Sequence, residues 1–234
     1  MNDDPDEENR MIEETKEYYR QRAAQYSDWA HRTGDYEGDS EPGSSFFDEA
    51  KLLLDALDAE RLVGNVLEIA CGTGVWTEAV VKNANLVTAL DSSQEMIERN
   101  KSRLKGNMKV KYVLADVYDW NADTVYDAVT FSFWISHVPN SRLDEFVSKA
   151  SRCLRPSGRV FFVDQQDTAK KYETLAGPGG EVAARTLNDG KTFKVIKHFY
   201  SADEIREAFL RNGIETQVTN TPTHFYYVSG TKTR

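Results

Sequence analysis

Residues 66–76 read VLEIACGTGVW. Val66 and Leu67 open a short apolar run, Glu68 interrupts it, and Gly72 and Gly74 frame a tight loop. Two glycines behind a buried strand let the backbone turn sharply or approach a ligand without a Cβ in the way. The next residues, GVWTEAVVKN, have helical composition, so the stretch reads as strand, loop, helix.

The same alternation continues outward from this unit. NLVTAL is a strand, and SSQEMIERNKSRL is a helix with Met96, Ile97, Asn100 and Leu104 on one side. MKVKYVLA and YDAVTFSFWI are strands, and NSRLDEFVSKASRCL is a helix. PSG breaks the chain before the strand RVFFVD. Strands alternating with helices predict an α/β fold, with right-handed crossovers and a largely parallel sheet. Downstream, KTFKVIKHFY is a strand and SADEIREAFLRNG a helix opened by a Ser201–Glu204 capping box. IETQVTN and THFYYVSG are joined too tightly for a crossover, so they must pair antiparallel. Upstream, SFFDEAKLLLDAL is a helix, and MIEETKEYYRQRAAQYSDWAHR is another, with Ile12, Tyr19, Ala23 and Tyr26 near helical spacing. The organisation expected is an acidic disordered tail over 1–10 and a single domain over 11–234. Within it, 11–60 forms a helical cover, 61–166 the core, 167–198 an irregular insertion and 199–234 a helix with a strand hairpin.

Composition narrows the function classes. The chain has 234 residues, 40% of them hydrophobic, enough for one sizeable core. Residues 1–17 hold eight acids against two basic residues, a net −6 of the whole chain's −9. With no basic stripe to neutralise phosphates, nucleic acid is not an expected partner. There is no apolar run of about 18 residues and no apolar signal-peptide core, so no stable membrane association is expected and the expected location is the cytoplasm. Cys71 and Cys153 supply neither a disulfide framework nor a metal-ligand cluster.

Ligands of open parallel sheets sit at the carboxyl ends of the strands. Here those ends carry Glu68 with the CGTG loop, then Asp91, then Asp116, then Phe131-Ser132-Phe133. A dinucleotide loop needs G-x-G-x-x-G, and Gly72-Thr73-Gly74 is followed by Val75-Trp76-Thr77 with no third glycine. Glu68 would also repel a pyrophosphate. A nucleoside that carries positive charge and no phosphate suits these acids better, and S-adenosyl-L-methionine is such a molecule.

VLEIACGTG, VTALDSSQEMIERN, VKYVLADVYDW, YDAVTFSFWISHVP and LRPSGRVFFVD resemble, in order and spacing, the successive motifs of class I S-adenosylmethionine-dependent methyltransferases. The resemblance covers roughly residues 62–166. It implies a Rossmann-like seven-stranded, mostly parallel sheet with helices on both faces and the last strand antiparallel. It implies that Glu68 holds the methionine amino end through water or the loop backbone, and that Ala70, Cys71, Gly72, Thr73 and Gly74 form the cofactor loop. Asp91, followed by Ser92, would accept from the ribose hydroxyls, and Met96 would pack on the adenine. Asp116 and the Val117 amide would meet the adenine edge, and Phe131 or Ser132 would lie beside the methionine. Each residue also has a plainer reading: Asp91 as a helix N-cap, Met96 as core, the glycines as a tight turn. Ala70 departs from the family's commoner three-glycine loop, and its methyl fits there if its φ stays negative.

The product would be S-adenosyl-L-homocysteine, and the partner a small-molecule acceptor, with the protein a monomer or homodimer. His137 in WISHVP is the candidate base or substrate contact, or else it only caps the turn before Pro139. Tyr19 or Tyr26 of the N-terminal helix would reach the cofactor, and Tyr172 and Phe193 would line the acceptor pocket. A Pro-Pro-aromatic motif after the fourth strand, the mark of amino-methylating DNA enzymes, is missing from SFWISHVP. The expected reaction is methyl transfer to an oxygen or nitrogen of a small, partly apolar metabolite. A non-catalytic cofactor-binding protein on the same fold, carbon methylation of a quinone-like ring, and an NAD-type oxidoreductase are the alternatives.

Overall fold

The computed structural model describes residues 5–23, 45–172, 175–176 and 181–233. In chain order the elements are α1 (Pro5–Arg22), α2 (Ser45–Glu60), β1 (Asn65–Ile69), α3 (Val75–Val80), β2 (Leu86–Asp91), α4 (Gln94–Arg103), β3 (Val110–Leu114) and β4 (Tyr126–Ser132). There follow a short 3₁₀ turn (Ile135–His137), α5 (Leu143–Cys153), β5 (Leu154–Gln165), β6 (Leu175–Ala176), β7 (Val182–Thr186), β8 (Thr192–Ile196), α6 (Ala202–Arg211), β9 (Ile214–Asn220) and β10 (Phe225–Lys232).

Seven strands form one sheet in the order β3-β2-β1-β4-β5-β10-β9. The first five are parallel neighbours, and β10 runs antiparallel between β5 and β9. This is the expected Rossmann-like sheet with its last strand reversed. Both faces are apolar because strand residues alternate sides and each side has its helices. Val160 and Phe162 of β5 join the cluster under α5 and α6, while Phe161 and Val163 join the one under α2 and α3. On the first side Phe131 stacks on Phe162 at 4.5 Å between ring centroids, Phe162 on Phe209 at 5.3 Å, and Phe146 meets Phe131 edge-on at 5.2 Å. The order reverses direction at β1 and β4, and this opens a crevice at their carboxyl ends.

Several expectations are corrected. Residues 5–10, read as part of a disordered tail, are the first turns of α1. Pro5 opens the helix, where a missing N–H costs nothing, and Asp6, Glu7 and Glu8 sit in the first turn, where negative charge complements the helix dipole. The helix read through residue 32 is described only to Arg22, and Tyr26 and Trp29 lie outside the described residues. The irregular insertion contains a small antiparallel sheet, β6-β7-β8. Phe193 is not among the residues that line the crevice: its ring lies 5.8 Å from that of Tyr18, in a cluster with Leu187 and Val195. The Tyr172 side chain lies outside the described residues.

α1 lies across β8. Glu14 Oε1 accepts the Lys194 amide at 2.7 Å, and Thr15 Oγ1 accepts the Ile196 amide at 3.0 Å while donating to the Met11 carbonyl. The helix is thereby held over the crevice, whose floor is the sheet. Among the described residues, no helix is long and apolar enough to cross a membrane.

Candidate active site

One cavity occupies the crevice. Its floor and far wall carry Ala70, Gly72, Asp91, Ser92, Met96, Asp116, Val117 and Ser132, and α1 adds Ile12, Thr15, Lys16 and Tyr19 as a roof. His137, Phe133, Trp134 and Pro139 close the other end. The loop between β1 and α3 is held by the Cys71 amide on the Leu90 carbonyl at 3.0 Å and the Gly74 amide on the Cys71 carbonyl at 3.2 Å.

The two loop glycines serve different ends. Gly72, at φ 52°, opens on the cavity: a Cβ there would meet no atom within 4 Å. Gly74, at φ 88°, backs onto α4, where a Cβ would stand 2.7 Å from the Asn100 side chain. Asn100 stitches the loop from behind, donating to the carbonyls of Cys71 and Gly72 and to Thr77 Oγ1 at 2.8 Å. Ala70 departs from expectation: its φ is 53°, in the left-handed region, so the methyl is accommodated with strain rather than by a negative φ.

Asp91 accepts the Gly72 amide on Oδ2 and the Ser93 amide on Oδ1, both at 2.9 Å. Burial raises its pKa against those amides. The N-cap of α4 is Ser93, whose side chain accepts the Met96 amide, so Asp91 does not fill that position itself. A carboxylate offers about four acceptor directions, so Asp91, which lines the cavity, keeps capacity to accept from a ligand. Asp116 accepts the Tyr118 amide on Oδ1 at 2.8 Å and pairs through Oδ2 with Lys16 of α1 at 2.5 Å.

Glu68, three of the expected loop residues (Cys71, Thr73 and Gly74) and Phe131 do not reach the cavity wall. Glu68 points beneath the loop, 2% exposed, with Oε2 lacking a hydrogen-bond partner. Burial lifts its pKa to about 8; Thr77 opposes the shift and the charge of Asp91 adds to it. Cys71 is buried, and desolvation with the nearby acids pushes its thiol far up, which makes it unreactive. Thr73 is buried, its carbonyl accepting Arg103 Nε at 3.1 Å. Phe131 points to the opposite face of β4, into the aromatic stack, and it is Ser132 and Phe133 that face the cavity. Phe133 turns inward at φ 54°.

His137 belongs to the site in a different way from a turn cap. Its backbone closes the 3₁₀ turn, while its ring Nδ1 lies 2.6 Å from the Ile196 carbonyl and its Nε2 2.7 Å from the Tyr19 hydroxyl. A carbonyl only accepts, so Nδ1 carries the proton and Nε2 presents its lone pair. Burial, then Lys197, push the His137 pKa well down; the Ile196 bond opposes, and Arg185 and Arg22 add to the fall. The turn itself is clamped from below: Asp164, fully buried, accepts the Ser136 amide at 3.0 Å, and buried Lys197 reaches both Ser136 Oγ at 2.9 Å and Asp164 at 3.7 Å.

Lys16 is the main wall residue that the sequence reading missed. It stands four residues after Ile12 and three before Tyr19, on the same helical face, so the spacing alone places it there.

The donor set selects among ligands. Two wall carboxylates and a glycine cradle suit hydroxyl and amino donors beside a close backbone, and they repel a pyrophosphate. That fits the residues to a nucleoside without phosphates. The comparisons with known proteins run the same way. A family model described as a methyltransferase domain matches residues 66–158. A solved structure of a DhpI–SAM–HEP complex is 32% identical, with a TM-score of 0.77, covering 94% of this chain and 97% of that one. A demethylmenaquinone methyltransferase of Clavibacter sepedonicus is 33% identical over 139 residues, 50% of this chain and 55% of the relative. A ubiquinone biosynthesis O-methyltransferase of Vibrio campbellii is 30% identical over 128 residues, 53% of each protein. The matched part of the chain spans about half the length of these two curated relatives.

Proposed function

Because the chain belongs to the class I S-adenosylmethionine-dependent methyltransferase family, we propose that it transfers a methyl group to an oxygen or nitrogen of a small, partly apolar metabolite. The supporting observation is that Gly72, Asp91, Met96, Asp116 and Val117, far apart in sequence, line one cavity at the strand ends. Asp91 would take the ribose hydroxyls on its remaining acceptor directions, a charge-assisted pair. Met96 would face the adenine, and Asp116 with the Val117 amide its polar edge. Ser132 would lie beside the methionine, and Glu68 would act on its amino group only through the loop above it. S-adenosylmethionine, when bound, supplies an electrophilic methyl on a positively charged sulfur. The chain supplies alignment and dryness: α1 roofs the cavity, and holding the two reactants in line is worth up to about 7–11 kcal/mol of barrier.

A second reading, carbon methylation of a quinone-like ring, draws on the curated relatives named for quinone methylation. Incubation with isotopically labelled S-adenosylmethionine and a metabolite extract, followed by mass identification of the labelled product, separates the two. Calorimetry that detects no S-adenosylmethionine binding would sink both.

A further inference from the structure

Lys16 brings a hydrogen-bond donor to the part of the cavity where Asp116 brings an acceptor. Its Nζ lies 2.5 Å from Asp116 Oδ2 and 2.6 Å from Glu13 Oε1, and Lys16, Asp116 and Val117 all line the cavity. An ammonium carries three N–H bonds and no lone pair. Among the described residues Asp116 and Glu13 engage two of the three, which leaves one for a ligand. Burial works against the charge on Lys16, but the bonds to Asp116 and Glu13 outweigh it and raise the pKa, so the group stays an ammonium. Asp116 holds the Tyr118 amide on Oδ1 and Lys16 on Oδ2, two of about four acceptor directions, and so keeps capacity for a ligand N–H. The helix that carries Lys16 has separate anchors, since Glu14 and Thr15 hold the Lys194 and Ile196 amides. The wall thus sets the Val117 backbone, a carboxylate and an ammonium beside one another. On adenine the amino group is flanked by two ring nitrogens, N1 and N7, that only accept. A purine with an oxo group in that place would set a carbonyl oxygen against the Asp116 carboxylate, and cytosine has a ring nitrogen on only one side of its amino group.

We propose that Lys16 reads the base of the cofactor: its ammonium donates to one of the two ring nitrogens beside the adenine amino group and the Val117 amide to the other, while Asp116 accepts from the amino group between them. The inference rests on the S-adenosylmethionine reading above and adds to it a specificity-determining contact from the roof helix. Donor, acceptor and donor on the protein then meet acceptor, donor and acceptor on the base. The helix that covers the cofactor also checks its identity.

The test titrates S-adenosylhomocysteine and its 1-deaza and 7-deaza analogues, each with C–H in place of one ring nitrogen, into the full chain by calorimetry. At least one analogue is expected to bind roughly tenfold more weakly than S-adenosylhomocysteine, the loss of a hydrogen bond to a charged donor. The same titrations are made with Lys16→Met, which keeps the apolar stem and loses the ammonium. There that penalty should fall to about twofold or less, and the analogue that shows the fall identifies the nitrogen that Lys16 reads. Changes the analogues make to the base itself are the same in both proteins and cancel in the comparison. Lys16→Ala takes the place of Lys16→Met if that variant fails to fold. A lysine that only clamps α1 would weaken all three ligands by one factor, so a penalty that the variant keeps overturns the inference. Equal binding of all three ligands by the wild-type chain overturns it without any variant. Both results leave the methyltransferase reading intact. A wild-type chain that binds neither S-adenosylhomocysteine nor S-adenosylmethionine strikes that reading instead, and this inference falls with it.

Discussion

At Ala70 the methyl group crowds the following carbonyl, because φ there is 53°. A non-glycine residue in that region costs about 1–2 kcal/mol, and glycine loses about 0.5–1 kcal/mol of extra chain entropy. Ala70→Gly is therefore expected to raise unfolding free energy by about 0.5–1 kcal/mol, read by urea denaturation; a lower midpoint would refute the strain. Asp91→Ala should weaken S-adenosylmethionine binding by about 1.5–3 kcal/mol through lost charged hydrogen bonds, measured calorimetrically. Unchanged affinity would remove Asp91 from the cofactor's contacts. Glu68 makes a pH prediction. Its pKa rises from 4.5 to about 8 on folding, so below 4.5 the carboxyl is neutral in both states and costs nothing. As pH rises towards 8 the unfolded chain ionises and the folded one resists, so stability falls, on the order of a few kcal/mol. Glu68→Gln should flatten that slope between about pH 7.5 and 8, above the ordinary histidine value of 6.5, where His137 is essentially neutral in both states; a slope left intact assigns it to another group. Which residues ended the strands was legible in the sequence because each is a local feature of one motif. Which way each side chain points was less so: Phe131 and Ser132 differ by one residue and therefore by one face of the sheet.

At the scale of elements, α1 is a polar helix held mainly by what it touches. In proteins most helical stability comes from tertiary packing rather than from propensity. Thr15 accepts the Ile196 amide in a buried setting, so Thr15→Val would strand that amide at a cost of about 1–3 kcal/mol. The loss should fall on α1 and β8: hydrogen exchange there speeds up while the amides of β1 and β4 keep their protection. Uniform acceleration would mean that α1 is part of the global core. The β7–β8 hairpin was in principle readable, since Asn188-Asp189-Gly190 between two short runs is a hairpin signal and Gly190 has φ 85°. It was obscured because β7, VAART, is short and has only one fully buried residue, so its alternation is faint. The start of α1 was hidden for the opposite reason: acidic residues that resemble a solvated tail are also those that favour the first turn of a helix.

For the whole molecule, stability rests on the two apolar faces of the sheet. Phe162 is fully buried and stacks on both Phe131 and Phe209. Phe162→Ala should cost about 3–5 kcal/mol in global unfolding, seen as a cooperative shift by every probe at once. A small or local effect would show that the stack closes around the gap. The sheet itself was legible because alternating strands and helices leave few topologies, whereas the contact of α1 with β8 leaves no local trace in either segment. That contact has a consequence in time. Glu14 and the Lys194 amide it holds are 180 residues apart. A ribosome adding roughly 5–20 residues per second thus needs roughly 10 to 40 s between making the roof helix and making the strand that supports it. In the later part of that interval the nascent chain has the glycine loop, both wall carboxylates and β1 to β4 but no clamp over them, so the site is built open and is roofed only once β8 has been made.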